Sequence, residues 1–440
     1  MTLLLLACNG PDTVSSPATE EPFTFPPKPD TGEQEEEARL VEMTPGPENA
    51  WLFADTAIPE DTGWRLGDDW VHLDETTAPY VQPEEEGAWV EVDNQFVQLA
   101  GFAGSGPGAD WRDYAVRSAP YEVYVDCVDI EPWDQGKVLC TCGFEEALCG
   151  YDLATGEALV ELDARPASSS DHGAFATGDL NGDGVPEIVS AESTWFWYHH
   201  VSVWDGTVIG YATNDDTNAY IEHADETVDF GADVITPGDL DGDGFGDLIV
   251  TGYSTVRVYH GPVTGDLTVD DWDALAEDWS VFRLIHPAGD VDGDGLADLL
   301  FTDQTQVHLL EPLVGQAGRA SDSTSTTWEC SGHFQKYVDA VQVVPGVVPQ
   351  HDLMIHVGTV FGDPLVEHLW MAPLIDDGGV HHCDDEGFLT RNEFGVGSYF
   401  GAADVADPVG NELLAQVSAY HGGDRAWALL AVTGDQLGGM

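Results

Sequence analysis

Basic residues are scarce in this chain: 13 Lys+Arg stand against 81 Asp+Glu, a formal net charge of −68 over 440 residues. A field of that sign repels phosphate backbones and anionic lipid, so nucleic acid is excluded as a partner and a membrane can be reached only through an anchor. Long apolar runs are missing as well. After Ala7 no such stretch exceeds a few residues, so no membrane-spanning helix is expected. P-loops, dinucleotide fingerprints, nucleophile elbows and H-E-x-x-H are also absent, and the chain is expected not to be an enzyme. The histidine pairs His199-His200 and His381-His382 are the nearest things to catalytic groups. Both fall near predicted strand ends, where neighbours face opposite ways and rarely reach one ion. Trp195, Trp197, Tyr198 and Trp204 are flat enough for a sugar-stacking platform. At period 2 in "WFWYHHVSVW" they fit better as core on one face and surface on the other.

What is present is a repeated acidic loop. "GDLDGDGFGDLIV" places Asp239, Asp241, Asp243 and Asp247 at positions 1, 3, 5 and 9, with Gly242 and Gly244 at positions 4 and 6. A chain wrapping around a cation needs positive φ at such glycines, and hard oxygen donors in a flexible loop favour calcium over magnesium. Without a cation, carboxylates held this close should push some of their pKa values up. "GDLNGDGVPEIVS" repeats the pattern with Asp179, Asn181, Asp183 and Glu187, and "GDVDGDGLADLLF" with Asp290, Asp292, Asp294 and Asp298. An EF-hand would need a bidentate Glu at position 12, where Ser190, Val250 and Phe301 stand instead. The residues that follow, such as Leu248-Ile249-Val250, are β-prone, so each unit is a loop followed by a strand.

The first ligands are separated by 60 and 51 residues, a period of the size that signals a propeller of four-stranded sheets. Weaker copies extend the series. "YFGAADVADPVGNELLAQVSAYHG" keeps Asp404 and Glu412, "VVPGVVPQHDLMIHVGT" keeps Asp352 before a strand at Leu353 to Val357, and Asp113 precedes Tyr114-Ala115-Val116. Six periods result. The last ends soon after "RAWALLAV", so a strand from residues 68 to 100, with "AWVEVDNQFVQL" as the candidate, is expected to close the ring.

On these motifs, together with Phe400-Gly401 in "YFGAADV", the chain resembles the FG-GAP repeat proteins, whose best-known members are the β-propeller heads of integrin α subunits. The resemblance covers roughly residues 95 to 440, most strongly 170 to 305. It implies an all-β, six- or seven-bladed β-propeller with calcium in the inter-strand loops. It also implies ligation at position 7 through the main-chain carbonyls of Val185, Phe245 and Leu296, giving about three structural Ca²⁺ sites. The "FG" and "GAP" halves of the signature are eroded in most repeats, and blades lacking the loop should bind no ion. Some polysaccharide lyases and phospholipases carry such repeats, so an alternative is an enzyme with a central-channel site using Trp197, His200 or His260. A passive envelope component is a third possibility.

The N-terminal "MTLLLLACNG" resembles a lipoprotein lipobox, with Cys8 as the lipidated first residue of the mature chain and residues 1–8 as its signal peptide. Asn9 after that Cys resembles an outer-membrane sorting address. Residues 9–50, rich in Pro, Thr and Glu, suit a disordered tether ahead of a propeller at 51–440. Six further cysteines, Cys127, Cys140, Cys142, Cys149, Cys330 and Cys383, fit three disulfides in an exported chain. The first four are expected to pair among themselves and Cys330 with Cys383; a zinc site at "CTC" or His381-His382-Cys383-Asp384 lacks paired C-x-x-C spacing. The three loops hold eleven carboxylates, so most of the acidity lies elsewhere and suits a saline habitat, where screening tames repulsion. The expected role is a lipid-anchored, calcium-binding adhesion or ligand-binding module at the bacterial outer membrane or cell surface, with an extracellular protein or glycan as partner.

Overall fold

A computed structural model describes residues 70–73, 81–83, 87–92, 95–101, 111–120, 128–134, 136–142, 147–163, 175–193, 199–222, 230–231, 233–252, 255–277, 284–302, 306–310, 317–319, 324–329, 336–348, 351–359, 367–382, 388–392, 395–403, 412–421 and 424–432. Among them are seven sheets in sequence order, each with four antiparallel strands, the upper of the two expected counts. The first is built from Val81–Pro83, Ala88–Val92, Gln95–Leu99 and Ala115–Ser118, and the second from Val128–Asp134, Lys137–Cys142, Ala147–Asp152 and Ala158–Leu162. The third has Phe175–Gly178, Glu187–Ser193, His199–Trp204 and Ala219–Glu222; the fourth has Asp233–Gly238, Asp247–Thr251, Thr255–Tyr259 and Ala274–Glu277. The fifth has Leu284–Gly289, Asp298–Thr302, Gln306–Leu310 and Thr324–Glu329, and the sixth Lys336–Val348, His351–Thr359, Glu367–Ala372 and Phe388–Asn392. In the seventh, Gly395–Ala403, Glu412–His421 and Asp424–Val432 are joined by Trp70–Leu73 from the other end of the chain.

That last pairing closes the ring. Trp70 lies opposite Leu430 and Leu73 opposite Trp427, antiparallel, so the final sheet is completed by the earliest described strand. The first strands of successive sheets lie side by side, which makes them the inner ring of a β-propeller. Closure does come from within residues 68 to 100, but not from the expected segment: Ala88–Val92 and Gln95–Leu99 pair with each other in the first sheet. Asp113 is also misplaced by the repeat reading. It ends a short 3-10 turn before Ala115–Ser118, the outermost strand of the first sheet, whereas the acidic loops join first strands to second ones. The second sheet has no counterpart among the six periods read from the sequence, because its first two strands turn within Asp134 to Lys137. Asp352 sits inside its strand, which begins at His351. Glu412 opens the second strand of the seventh sheet, as Glu187, Asp247 and Asp298 open theirs, while Asp404 lies outside the described residues.

The core lies between neighbouring sheets. Alternation sends Leu248 and Val250 towards Val189, Val201 and Ile221 of the third sheet, while Ile249 meets Leu299, Phe301 and Leu310 of the fifth. Both faces of a middle strand are therefore dry, and every residue of Asp247–Thr251 and Asp298–Thr302 is buried. Each fully buried Leu, Ile or Val contributes about 1.5–3 kcal/mol, which is why these strands are near-continuous apolar runs. For the same reason the described side chains of "HHVSVW" have no solvent face: His200, Val201, Ser202, Val203 and Trp204 are all buried. Trp195, Trp197 and Tyr198 lie outside the described residues.

Four short strands complete the outer edges. Gly210–Ala212, from the third sheet's connection between its third and fourth strands, pairs in parallel with Ala158–Leu162 of the second sheet. Gly265–Thr268, Ala317–Arg319 and Val380–His382 each repeat this arrangement on the outer strand of the preceding sheet. Cys142 and Cys149 form a disulfide across the second and third strands of the second sheet, and Cys140 is disulfide-bonded too. Cys8, Cys127, Cys330 and Cys383, with the expected leader and linker at residues 1–50, lie outside the described residues. Among the described residues, no helix is long and apolar enough to cross a membrane.

Candidate metal centre

The three acidic loops occupy one structural position, between the first and second strands of the third, fourth and fifth sheets. The backbone wraps around its own carboxylates in the same way each time. Asp239 accepts from Gly242 N at 2.6 Å and Gly244 N at 2.8 Å, Asp241 from Asp243 N at 3.0 Å, and Asp243 from Phe245 N at 2.9 Å. Asp290, Asp292 and Asp294 make the same set at 2.8 to 3.0 Å. In the third sheet Asp179, Asn181 and Asp183 do likewise. Glycines at positions 4 and 6 permit this winding: Gly242 and Gly244 have φ of +82° and +92°.

Ninth-position carboxylates are handled differently. Each opens the second strand and reaches back to the amide of position 2: Glu187 to Leu180 at 2.7 Å, Asp247 to Leu240 at 2.6 Å and Asp298 to Val291 at 2.8 Å. All three are buried, and burial is the largest cause of their raised pKa values; Asp298 is pushed up to about 6. Hydrogen bonds from position 2 oppose the shift in every case. Neighbouring charge adds to it at Asp298, through Asp292 and Asp294, and at Glu187, through Asp183 and Asp179. The expected rise is thus found at position 9, with desolvation ahead of like-charge repulsion as its cause.

Carboxylate oxygens of Asp239, Asp241 and Asp243 lie within 4.8 Å of one another, as do those of Asp290, Asp292 and Asp294. Such clusters could hold a metal ion. Their donors are hard oxygens with a buried carboxylate alongside, and this set fits calcium. In the third sheet Asn181 replaces one carboxylate, and its amide donates to Glu187 at 2.5 Å. That loop offers less negative charge to a cation.

The loops are also joined to each other. Gly246 N, at position 8 of the fourth sheet's loop, donates to the Asp179 carbonyl at 2.9 Å, and Ala297 N, at the same position of the fifth, donates to the Asp239 carbonyl at 2.7 Å. A Cβ on Gly246 would lie 2.5 Å from that Asp179 oxygen. Position-7 side chains cover the position-4 glycine of the loop before: Phe245 packs at Gly182 and Leu296 at Gly242. Three loops separated by 60 and 51 residues therefore form one continuous row.

A residue missed as a partner of this row is His260, from the turn after Thr255–Tyr259. The pairing of Leu248 with Tyr259 sets His260 opposite Asp247. Its Nδ1 lies 3.2 Å from Asp247 Oδ1 and 3.9 Å from Asp241 Oδ2. His260 is one of the three groups proposed for a central-channel enzyme site, but it follows a third strand rather than lining the inner ring. His200 is likewise on a third strand, 3.4 Å from Asn214 Nδ2. His381 is held by Asp377 at 3.0 Å, and His382 by Glu329 at 3.2 Å. His381 and His382 thus go to different carboxylates, and the side chain of His199 lies outside the described ones.

Residues 239–310, covering the fourth sheet's loop through to the third strand of the fifth sheet, match the family model of the FG-GAP-like repeat. No curated protein matches the chain in sequence. Among solved structures the chain is similar to BBS1N in complex with ARL6DN, at 10% identity and a TM-score of 0.42, covering 83% of this chain and 97% of that one. It is also similar to Hsv2 of "Kluyvelomyces marxianus", at 8% identity and a TM-score of 0.32, covering 67% of this chain and 91% of that one. By fold and by repeat, this chain is an all-β propeller carrying an FG-GAP-like repeat at residues 239–310.

Proposed function

We propose that the protein is an exported ligand-binding propeller braced by calcium, tethered to the bacterial outer membrane or cell surface through lipid on Cys8. The observation that carries this reading is the row of three interlocked acidic loops. A cation in each loop would neutralise carboxylates that burial and crowding disfavour, and would tie the start of a middle strand to the turn before it. Calcium here is structural. It stabilises the fold by RT ln(1 + [Ca²⁺]/Kd), about 2.7 kcal/mol per site at one hundred times Kd. Extracellular modules of this kind bind at about 10⁻⁴ to 10⁻³ M, so the loops fill outside a cell and empty in chelator.

Export is supported by the Cys142–Cys149 disulfide, since such bonds persist in oxidising compartments. A net charge of −68 argues against nucleic acid and for a protein or glycan partner met by the connecting loops. Adhesion is the role these features suit best. The test is thermal unfolding of the full chain carrying Cys8→Ser, with and without millimolar calcium, beside a variant that also carries Asp241→Ala and Asp292→Ala. Calcium should raise the midpoint by several degrees, and the loop variant should lose most of that gain. An unchanged midpoint in both proteins would remove calcium from the account.

A further inference from the structure

The loop of the fourth sheet differs from that of the third in one donor. At the register position facing the ninth-position carboxylate, the third sheet has Asp205, whose side chain is turned to Thr207, accepting from its N at 2.8 Å and its Oγ1 at 2.5 Å. In the fourth sheet that position is His260. Its side chain is only 13% exposed, both ring nitrogens are shut off from solvent, and Nδ1 faces the buried Asp247 carboxylate at 3.2 Å. A ring so buried has lost its water and takes its polar contacts from the protein or from an ion.

Its surroundings supply a reason. His260 Nδ1 and carboxylate oxygens of Asp241 and Asp247 all lie within 4.8 Å of one another. Nδ1 is 3.2 Å from Asp247 Oδ1 and 3.9 Å from Asp241 Oδ2. Ligand atoms sharing an ion at about 2.0–2.2 Å sit about 3 to 3.5 Å apart, so these separations suit a shared ion of that size with little movement. The backbone already holds the carboxylates: Leu240 N donates to Asp247 Oδ2, and Gly261 N to Asp247 Oδ1 at 2.8 Å. Orientation by outer hydrogen bonds is what a metal site requires of its ligands.

We infer that Asp241, Asp247 and His260 form a mixed nitrogen and oxygen site for a first-row transition-metal dication such as Zn²⁺, Co²⁺ or Mn²⁺, set among loops whose other donors are all oxygen. Imidazole is a good ligand for these ions and a poor one for calcium. The fourth sheet's loop therefore takes a different ion from the fifth sheet's loop, which keeps calcium. This assignment extends the reading of the loops as ion sites but does not need calcium in any of them.

The experiment is a Co²⁺ titration of the full chain carrying Cys8→Ser, followed by visible absorption, with Zn²⁺ as competitor. Beside it stand His260→Ala and His260→Asp, the latter supplying the carboxylate found at the third sheet's equivalent position. The unaltered loop should bind one Co²⁺ per chain with a d–d band that Zn²⁺ abolishes, and both variants should bind it at least roughly ten-fold more weakly. The calcium-induced rise in unfolding midpoint, measured on the same samples, should persist in both variants and shows that they are folded. Co²⁺ binding that is unchanged in both variants, or that needs millimolar metal in the parent, overturns the inference. If His260-dependent Co²⁺ binding is found while calcium shifts nothing, this site stands and the calcium reading falls.

Discussion

Single carboxylates set the response of this protein to pH. Asp298 is the clearest case, because burial pushes its folded-state pKa up to about 6, whereas an Asp in an unfolded chain titrates near about 3.9. Between those values the folded state holds a proton that the unfolded state has released. The contribution of Asp298 to stability is therefore fully present below about pH 4 and is lost as pH rises through about 6. Glu187 and Asp247, also raised by burial, act in the same direction. With chelator present, the unfolding midpoint should fall between about pH 4 and 6 from these groups. A cation reverses the balance by favouring the ionised form, so the rise in midpoint caused by calcium should be small at pH 4 and full above about 6. A calcium effect independent of pH over that range would show that Asp298 and Glu187 are not its ligands. His260 illustrates what residue spacing hides. Asp179 to Asp298 were legible because a metal-binding loop draws its donors from nine consecutive positions, whereas His260 lies 13 residues past Asp247 and reaches it only through the strand pairing of Leu248 with Tyr259.

Loops and strands act as linked elements here, not as isolated sites. The backbone bonds from Gly246 to Asp179 and from Ala297 to Asp239 tie each loop to the one before it. Gly246→Val would drive a side chain into the Asp179 carbonyl, which a Cβ already approaches to 2.5 Å. Calorimetric titration with calcium and with Co²⁺ should then show calcium binding at 179–187 and Co²⁺ binding at 239–247 weakened together, with calcium binding at 290–298 retained. Loss confined to one loop would mean that the row is geometric only. The loop-to-strand order of these elements was readable because glycine, aspartate and a β-prone run follow one another locally. The second sheet was not, because its first hairpin turns at Asp134 to Lys137 with no ion motif to mark it. Short edge strands such as Gly210–Ala212 were equally silent, since three residues carry no periodicity and their partner lies some fifty residues away.

Across the whole molecule, stability rests on closure. Removing residues up to Leu73 would leave the seventh sheet with three strands and expose the edge of Asp424–Val432, a run that includes Ala428, Leu429, Leu430 and Ala431. An exposed apolar edge is a template for pairing with another chain. Size-exclusion chromatography should show the truncated protein moving from a single species to aggregates, and a monodisperse truncation would mean that the closing strand is dispensable. The identity of that strand was beyond sequence reading because it depends on a pairing between residues about 360 positions apart, which no local pattern reports.

The same pairing has a topological result. Trp70 and Leu430 are register partners, so the chain enters and leaves the ring at neighbouring points of one sheet edge, about 5 Å apart at the Cα atoms. In connectivity, the ring has a seam but no beginning. A short linker across that seam, with new ends opened between the sixth and seventh sheets, should give a circular permutant with the same unfolding midpoint and the same calcium dependence. The order in which the sheets are synthesised would then be separable from the structure they form.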